Sequence, residues 1–399
     1  MSDVKTAIIV GGGIAGPVTA LALRKIGVAA HVYEAHDGTA DGVGGMLGLA
    51  PNGLDAFDAV GLGDVVRQAA EPVSTMAIQS WTGKTLAEFG DRSGPPFLRV
   101  IWRTDLYRLL QDALSTKDIL VDYGKRLVTA ENQGDFVTAV FADGTRVSAD
   151  ILVGADGIRS AVRSIIDPAA PKPRYTGLLG IAGNWRKGAD LPSTNGSMNM
   201  TYGKRAFFAY RVDENGRAGW FANLPYRQPL TMAEARAVGG EEWLRRLRWI
   251  FADDRTPAPG ILRHVRTGDL VVVGALEDLP RVPTWSRGRM VLVGDSAHAT
   301  SPSSGQGASI AAESALQLAR CLRDLPVTTA FGAYEQLRRE RVERIIAAGA
   351  RTSSGKAAGP VARVFRDLTM PAVMKVLARP ERMAWQHGYH IDFDAAVAG

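Results

Sequence analysis

The order of apolar and polar positions at the start of the chain predicts a strand, a turn, a helix and a second strand. Residues 7–10 are a short apolar run typical of a buried strand, and the glycine-rich residues 11–16 follow directly. Apolar residues then continue with helical spacing. A second apolar run covers residues 28–33 and ends at Glu34. An apolar strand, a helically spaced segment and a second apolar strand in this order predict a βαβ unit.

Residues 11–16 read Gly-Gly-Gly-Ile-Ala-Gly, with the glycine spacing of a dinucleotide-binding turn. Gly11 permits the tight turn, Gly13 lets a pyrophosphate approach the backbone, and Gly16 lets the helix pack closely on the strand. The helix that begins near Ile14 and Ala15 offers N–H groups and the positive end of its dipole to the phosphates. An ordinary glycine-rich turn is the alternative interpretation.

Glu34 ends the second strand, 18 residues beyond Gly16. A carboxylate at this position accepts hydrogen bonds from an adenosine ribose and repels a 2′-phosphate. The unit is therefore expected to bind FAD or NAD rather than NADP.

Later segments repeat the pattern of an apolar strand that ends at a glycine turn and a helix. Residues 150–157 and 289–295 are two such strands. Residues 175–278 read mostly as short strands with turn signals between them. The longer helices are predicted over residues 232–251, 305–322 and 330–350.

These patterns predict an α/β protein in which a Rossmann-like domain is interleaved with an antiparallel-sheet substrate domain, followed by C-terminal helices. The Rossmann-like domain is assigned to residues 1–72, 98–172 and 285–350, the substrate domain to 73–97 and 173–284, and the C-terminal helical segment to 351–399.

Composition agrees with a globular protein. The chain has 399 residues, of which 46% are hydrophobic and 22% are charged, enough for one large core or two domains. Its net charge is +6, and a mildly positive field would help to recruit an anionic nicotinamide cofactor. The densest basic clusters, residues 245–248 and 338–341, are interpreted as solvated helix faces rather than as a nucleic-acid-binding surface.

Cys321 is the single cysteine, which rules out an internal disulfide, and the six histidines show no metal-ligand spacing. No basic and apolar leader opens the chain, and no run of 18 apolar residues occurs. We therefore expect a soluble, cytoplasmic protein without a membrane span, a bound metal or a nucleic-acid partner.

Three motifs occur in a fixed order: residues 11–16 with Glu34, residues 154–157 (Gly-Ala-Asp-Gly) and residues 294–298 (Gly-Asp-Ser-Ala-His). Over nearly the whole chain, they resemble the signatures of single-component FAD-dependent aromatic hydroxylases, flavoprotein monooxygenases with the p-hydroxybenzoate hydroxylase fold. The compact tetracycline-inactivating and polyketide-modifying monooxygenases are similar in length and motif style. The resemblance implies that the dinucleotide is FAD.

The resemblance also implies roles for later residues. Asp295 would hydrogen-bond the ribityl chain or ribose of FAD, and Arg103 would contact FAD as well. A glycine turn would place N–H groups and a helix N-terminus beside the flavin pyrimidine carbonyl, where the negative charge of reduced flavin lies. The residues of this turn are Gly305, Gln306, Gly307 and Ala308.

Each of these positions has a structural alternative. Asp156 matches a family position linked to both FAD and NADPH, and it is equally compatible with a cap on the following helix. Asp295 is compatible with a turn carboxylate, Arg103 with a surface arginine at a helix start, residues 305–307 with a plain glycine turn, and His298 with a structural residue.

The chain departs from the family pattern in two places. Residues 40–45 lack the arginine that the family often carries before the second glycine cluster, so the sequence does not show how NADPH is held. Ala308 and Ser309 stand where many relatives carry Asn, and the flavin contact there is expected to come from the backbone.

The chemistry is expected to belong to the cofactor, because no Ser-His-Asp set, metal cluster or supported cysteine nucleophile occurs. As the resemblance implies, NADPH or NADH reduces FAD, and O₂ adds to give a flavin hydroperoxide that hydroxylates an electron-rich substrate. No catalytic side chain is assigned.

Two alternative functions stay open: a non-oxygenating flavin oxidoreductase of the same fold and a non-catalytic dinucleotide-binding module. A halogenase is disfavoured, because no Trp-x-Trp-x-Ile-Pro segment occurs.

No second glycine fingerprint follows a strand, so the nicotinamide cofactor is expected to bind transiently near the flavin. Exposed arginines such as Arg159 or Arg163 would favour NADPH. Gly44, Gly45 and Gly48 are expected to give their loop room as the flavin moves between a reducible and an oxygenating position.

Alternation on the middle strands sends several apolar side chains to a shared sheet face, which is either an ordinary core face or a pocket wall against the flavin. No cluster of Arg or Lys occupies these positions, so a small benzoate would lack its clamp. A bulky, flat, phenolic or polyketide-like substrate is expected, in antibiotic biosynthesis or inactivation. The residues of this face are Met198, Met200 and Tyr202, then Phe208 and Tyr210, then Trp220, Phe221 and Asn223.

Overall fold

In a computed structural model, which describes residues 3–38, 45–186, 191–356, 359–377 and 380–397, the first βαβ unit lies in the middle of a six-stranded sheet. The strands are β1 Thr6–Val10, β2 Ala29–Tyr33, β3 Met46–Leu49, β4 Glu71–Val73, β5 Thr75–Ser80, β6 Thr85–Gly90, β7 Leu98–Trp102, β8 Val121–Asp122, β9 Leu127–Asn132, β10 Val137–Phe141, β11 Arg146–Ala149, β12 Ile151–Gly154, β13 Arg174–Arg186, β14 Ser197–Tyr202, β15 Phe207–Val212, β16 Arg217–Pro225, β17 Leu270–Asp278, β18 Ser286–Arg287 and β19 Met290–Leu292. The α-helices are α1 Ala15–Lys25, α2 Pro51–Ala59, α3 Gly63–Ala69, α4 Arg103–Thr116, α5 Ala161–Ile166, α6 Met232–Ala237, α7 Gly240–Phe251, α8 Ala258–His264, α9 Asp295–His298, α10 Gly307–Asp324, α11 Val327–Lys356, α12 Pro360–Leu377 and α13 Pro380–His387.

The six-stranded sheet has the order β18-β19-β12-β1-β2-β8 and is parallel except for β18 at its edge. Val10 pairs with Gly154, and Gly154 pairs with Leu292. The three strands that precede the sequence motifs are therefore neighbours and end at the same edge. Open α/β sheets bind ligands at this carboxyl edge.

A seven-stranded sheet, in the order β17-β13-β16-β15-β14-β5-β6, forms the second large element. It is antiparallel except where β14 pairs with β5. Helices α6, α7 and α8 cover one face, which we call the outer face; Phe208 and Trp220 pack there against Leu247 and Phe251. The opposite, inner face carries Tyr202, Phe207 and Phe221 in a separate apolar cluster that also includes Met370 of α12.

Two of the differences between the predicted and the observed helices involve glycine. The helix expected over residues 232–251 is two helices, α6 and α7, because Gly239 adopts a φ of +88° between them. Helix α11 continues past residue 350, since Gly349 provides close packing instead of a helix end. A Cβ at Gly349 would lie 2.9 Å from Thr300 Oγ1.

None of the described helices is long and apolar enough to cross a membrane. Within the described ranges, no group of His, Cys, Asp or Glu side chains is arranged to hold a metal ion. Cys321 lies fully buried in α10, and burial raises the pKa of its thiol to about 11.

The outer-face core generates a stability prediction. Leu247→Ala should lower the free energy of unfolding by about 2–5 kcal/mol, because the Leu247 side chain is fully buried between α7 and the sheet. Leu337→Ala is the matched control, since Leu337 is 48% exposed, and it should change stability by less than about 0.5 kcal/mol. Urea unfolding measures both; equal losses for the two variants would contradict this packing.

Candidate active site

Gly11 and Gly16 are required for the packing of the protein backbone, because a side chain at either position would clash with it. Gly11 adopts a φ of +108°, and a Cβ there would lie 2.4 Å from the carbonyl oxygen of Ala155. A Cβ at Gly16 would lie 1.9 Å from the carbonyl oxygen of Gly11. At Gly13, in contrast, the nearest atom to an added Cβ is the Tyr107 hydroxyl, at 3.7 Å. The backbone at Gly13 therefore faces open space, as the approach of a pyrophosphate requires.

The N-terminus of α1 is available to an anion. Its N-cap Ile14 makes no side-chain cap hydrogen bond, and its first turn contains no acidic residue. Glu34 lies beside the same turn: its carboxylate accepts the N–H of Gly12 at 2.6 Å and that of His36 at 2.9 Å. The first motif thus brings Glu34 and an uncapped helix start together, as its sequence predicts.

The third motif joins this cluster through Gly294. A Cβ at Gly294, which has a φ of +68°, would lie 2.6 Å from Cβ of Ala15. The following residue, Asp295, is exposed at the surface of this edge, although much of the surrounding space is filled by protein. The surrounding protein raises the pKa of Asp295, and the charge of Arg103 opposes the rise. Arg103 is held by its Nε, which donates to the Tyr107 hydroxyl at 3.1 Å.

The glycine turn before α10 is anchored by buried amides. Gly305 adopts a left-handed φ of +63°, and the Gln306 side chain accepts from Asn52 Nδ2 at 3.0 Å. Asn52 Nδ2 also donates to Glu313 at 2.5 Å. Gln306 provides no side-chain cap, and the first turn of α10, which begins at Gly307, has no acid. Ala308 lies in that first turn. The open starts of α10 and α1 are close together, because a Cβ at Gly294 would lie 2.6 Å from Cβ of Ala15 and 3.4 Å from Cβ of Ala311.

Glu313 is the centre of a buried ion cluster that sequence reasoning missed. Its carboxylate lies 2.6 Å from Arg338 and 2.8 Å from Arg341. Burial alone would raise the pKa of Glu313, but the two guanidinium groups hold it below its ordinary value. The prediction that residues 338–341 form a solvated face is therefore wrong for Arg338 and Arg341, because Arg338 is fully buried and the Arg341 side chain is only 9% exposed, both paired with Glu313 of α10.

The second motif acts as a helix cap. Asp156 accepts the N–H groups of Ala161 at 2.7 Å and Val162 at 3.1 Å, at the start of α5. Burial raises the pKa of Asp156, and these hydrogen bonds oppose the rise. The capping alternative for Asp156 is thus present in the structure, and its contact with FAD or NADPH stays a prediction.

Two other expectations change. Arg163 was expected to be exposed, and this is wrong: its guanidinium is buried and donates to the carbonyls of Ile158 at 2.7 Å and Ser296 at 3.0 Å. Arg159 is exposed and pairs with Glu277 at 2.7 Å. His298 is buried, and burial lowers its pKa to about 3. A neutral, buried imidazole is compatible with the structural alternative for this residue.

The expected substrate face is only partly formed. Tyr202 pairs with Phe207, and Phe207 pairs with Asn223. The prediction that Phe208 and Tyr210 share this face is wrong, because the strand register turns them to the outer face. Trp220 also lies on the outer face, where its ring stacks on Phe208 with centroids 5.4 Å apart.

Of the inner-face residues, Met198 and Tyr202 are buried in the apolar cluster, as an ordinary core face would have them. Met200 and Phe221 are only half-buried. Phe207 takes the place expected for Phe208.

Strand β3 connects the inner face with the glycine turn before α10. A Cβ at Gly219 of β16 would lie 2.6 Å from Cε of Met46, and a Cβ at Gly48 would lie 3.7 Å from the carbonyl oxygen of Gly305. Gly45 lies against Ala182. Gly44, in the loop expected to move, lies outside the described residues.

Lys356 also reaches the inner face, and no pattern in the strands indicated it. Its Nζ donates to Asn223 Oδ1 at 2.7 Å and lies 3.9 Å from the centroid of the Phe207 ring. Burial lowers the pKa of Lys356 to about 7. The Lys356 ammonium and the Asn223 amide therefore form a polar pair within an apolar wall.

A family model described as an FAD binding domain matches residues 3–196 and 280–348. The FAD-dependent urate hydroxylase of Mycolicibacterium vanbaalenii is 31% identical over 356 residues, which cover 85% of this chain and 85% of that protein. The chain belongs to this FAD-binding family. It is an FAD-dependent monooxygenase, as the three motifs predicted.

Solved structures confirm the predicted fold. HpxO of Klebsiella pneumoniae, complexed with FAD and uric acid, has a TM-score of 0.83 at 23% identity, covering 96% of this chain and 98% of that one. The tetracycline destructase Tet(55) has a TM-score of 0.71 at 21% identity, covering 97% and 98%. The flavoprotein thus combines a Rossmann-like FAD-binding part and an antiparallel sheet, with C-terminal helices.

The open backbone at Gly13 generates a prediction for the flavoprotein. Gly13→Val should fold normally, because the chain has room for the side chain, but it should purify without FAD since the side chain occupies the approach of the pyrophosphate. Gly268→Val is the control, because a Cβ at Gly268 meets no atom within 4 Å. Flavin absorbance per protein and the melting temperature measure the two effects; normal flavin content in Gly13→Val would contradict the assignment.

Asp295 generates a second prediction. Asp295→Ala should weaken FAD binding by about 1.5–3 kcal/mol, the range for a hydrogen bond to a charged group. Asp135→Ala, at a fully exposed carboxylate, should leave the dissociation constant unchanged. Titration of the flavin-free proteins with FAD, followed by flavin fluorescence, gives both constants. An unchanged constant for Asp295→Ala would remove this residue from the site.

Proposed function

We propose that this flavoprotein uses NADPH or NADH and O₂ to hydroxylate a bulky aromatic, phenolic or polyketide-like small molecule. The observation that carries the proposal is the position of β3, which contacts the Gly305 turn through Gly48 and the inner face through Met46. This contact supports a cofactor and a substrate that meet between the turn and the face.

The residues fit FAD in three ways: the backbone is open at Gly13, the starts of α1 and α10 are uncapped, and the exposed Asp295 follows Gly294, which packs against Ala15 of α1. When bound and reduced, FAD supplies the reaction with O₂ and the transfer of one oxygen atom. The chain's own part is to bind, orient and exclude water.

The half-buried Met200 and Phe221 would contact the substrate ring. A methionine adapts to rings of different shape, and an aromatic side chain stacks on a flat one. The urate hydroxylase among the relatives supports a flat, electron-rich ring as the substrate class.

The nicotinamide cofactor would bind transiently, since the glycine fingerprint at residues 11–16 is assigned to FAD. Arg159 is exposed and lies beside Glu277, so it is the remaining candidate of the predicted arginine pair for the 2′-phosphate of NADPH.

A test of the proposed function follows oxygen and reducing equivalents together. Purified flavoprotein is incubated with NADPH or NADH, ¹⁸O₂ and a panel of benzoates, simple phenols and polycyclic phenols. At least one phenolic compound should accelerate NAD(P)H oxidation and gain one ¹⁸O atom per NAD(P)H consumed. Oxidation that yields hydrogen peroxide but no labelled product from any compound would instead favour the non-oxygenating flavin oxidoreductase.

A further inference from the structure

Lys356 is a buried cation at the end of α11. Only 8% of the residue is exposed. Its ammonium donates to Asn223 Oδ1 at 2.7 Å and lies 3.9 Å and 5.8 Å from the ring centroids of Phe207 and Phe221. All three partners lie on the inner face.

No carboxylate in the described part of the chain forms an ion pair with Lys356. A buried charge without an opposite charge is strongly unfavourable, and the group responds by losing its proton more easily. Burial accordingly lowers the pKa of Lys356 to about 7. The amine thus exchanges a proton near neutral pH, in a site where one amide oxygen is its only hydrogen-bond partner among the described residues.

Tyr202 of the inner face lies beside a second cation. Burial raises the pKa of Tyr202, and the charge of Arg366 opposes the rise. Arg366 lies 4.2 Å from the Tyr202 ring centroid and pairs with Asp367 at 2.7 Å. Unlike Arg366, Lys356 has no carboxylate partner among the described residues.

Helix α11 ties Lys356 to the predicted flavin turn. Ser353, three residues earlier and on the same side of the helix, has its hydroxyl 2.6 Å from that of Ser301. Ser301 begins the short turn that ends at Gly305. The ammonium and the turn are consequently held by one rigid element.

We propose that Lys356 recognises the substrate through one oxygen attached directly to the aromatic ring. The neutral amine of Lys356 accepts the proton of a ring hydroxyl, and the ammonium that results pairs with the ring oxyanion. The oxygen–hydrogen bond breaks, a nitrogen–hydrogen bond forms, and the electron pair stays on the oxygen. This inference rests on the proposed function, because an ionised ring hydroxyl makes the ring richer in electrons and more easily oxygenated.

The chemistry of an ammonium group favours a single ring oxygen over a carboxylate. An ammonium is a compact point charge, whereas carboxylates are matched by the two parallel N–H groups of arginine. The nearby Arg366 is engaged by Asp367 and by the carbonyl of Gly355, so its fork is occupied.

Ligand binding tests the proposal without turnover. FAD-loaded protein is dialysed to equilibrium against 4-nitrophenol, whose ionised form absorbs visible light, in the absence of NAD(P)H. The native protein should hold the phenolate at a pH where most free phenol is neutral. Lys356→Met should bind it about tenfold to a hundredfold more weakly, as for a lost hydrogen bond to a charged group, and should hold the neutral form. The same change at exposed Lys172 should have no effect.

Two further probes separate the possible ligands. Nitrobenzene, which lacks the oxygen, should bind native protein and Lys356→Met equally. If 4-nitrobenzoate binds more tightly than 4-nitrophenol and depends on Lys356, the site recognises a carboxylate and the proposal is wrong. Equal 4-nitrophenol binding by native protein and Lys356→Met would also overturn it.

Asn223→Asp provides a second variant that nearly preserves side-chain shape. The new carboxylate should keep Lys356 charged and repel the phenolate, so 4-nitrophenol binding should fall while flavin content and melting temperature stay native. Unchanged phenolate binding would contradict the proposal even if Lys356→Met did not fold. Because binding is measured without O₂ chemistry, failure of ¹⁸O incorporation and failure of this inference are separate results.

Discussion

The structure depends on the close approach of backbone segments at the carboxyl edge of the six-stranded sheet. Gly11 packs against the carbonyl of Ala155, and Gly16 packs against the carbonyl of Gly11. Gly294, directly before α9, packs against Ala15 of α1. A side chain at any of these three glycines would push helices away from the sheet. Their packing therefore fixes where the N-termini of α1 and α10 lie, and Gly13 alone in the first turn leaves the backbone open toward a ligand. The same glycines that hold the fold together thus determine the shape of the cofactor site.

A second constraint connects this edge with the seven-stranded sheet. Gln306 is fixed through Asn52 to the buried Glu313, whose charge Arg338 and Arg341 balance. Buried ion clusters contribute little net stability, but loss of one partner leaves an unpaired buried charge, which is strongly unfavourable. Helices α10 and α11 are therefore held in register by these pairs. Both arginines lie on α11, the helix that ends at Lys356 on the inner face. One buried cluster therefore positions the flavin turn and the proposed substrate-binding cation together.

The sequence predicted what depends on local pattern. The βαβ unit, the motif-bearing strands and the helix starts each follow from a few adjacent residues, and the sheet edge follows from the strands being parallel. Contacts between residues that are distant in sequence could not be predicted in this way. Alternation identified Phe208 and Tyr210 as sharing one face of their strand, but the turn that connects β14 to β15 decides which face, and it placed them outside. Arg163 and Arg338 were predicted to be surface arginines because the partners that bury them, the carbonyl of Ser296 and the carboxylate of Glu313, come from other segments. Lys356 was missed because Asn223 lies 133 residues away.

We infer that FAD lies along the carboxyl edge of the six-stranded sheet and extends toward the inner face of the seven-stranded one. A crystal structure of the FAD-loaded protein tests this placement most directly. The pyrophosphate should lie against the backbone of Gly13 and the start of α1, and the isoalloxazine ring between the turn of residues 305–307 and the inner face at Phe221. A flavin ring bound at the outer face, or a pyrophosphate away from Gly13, would contradict this placement.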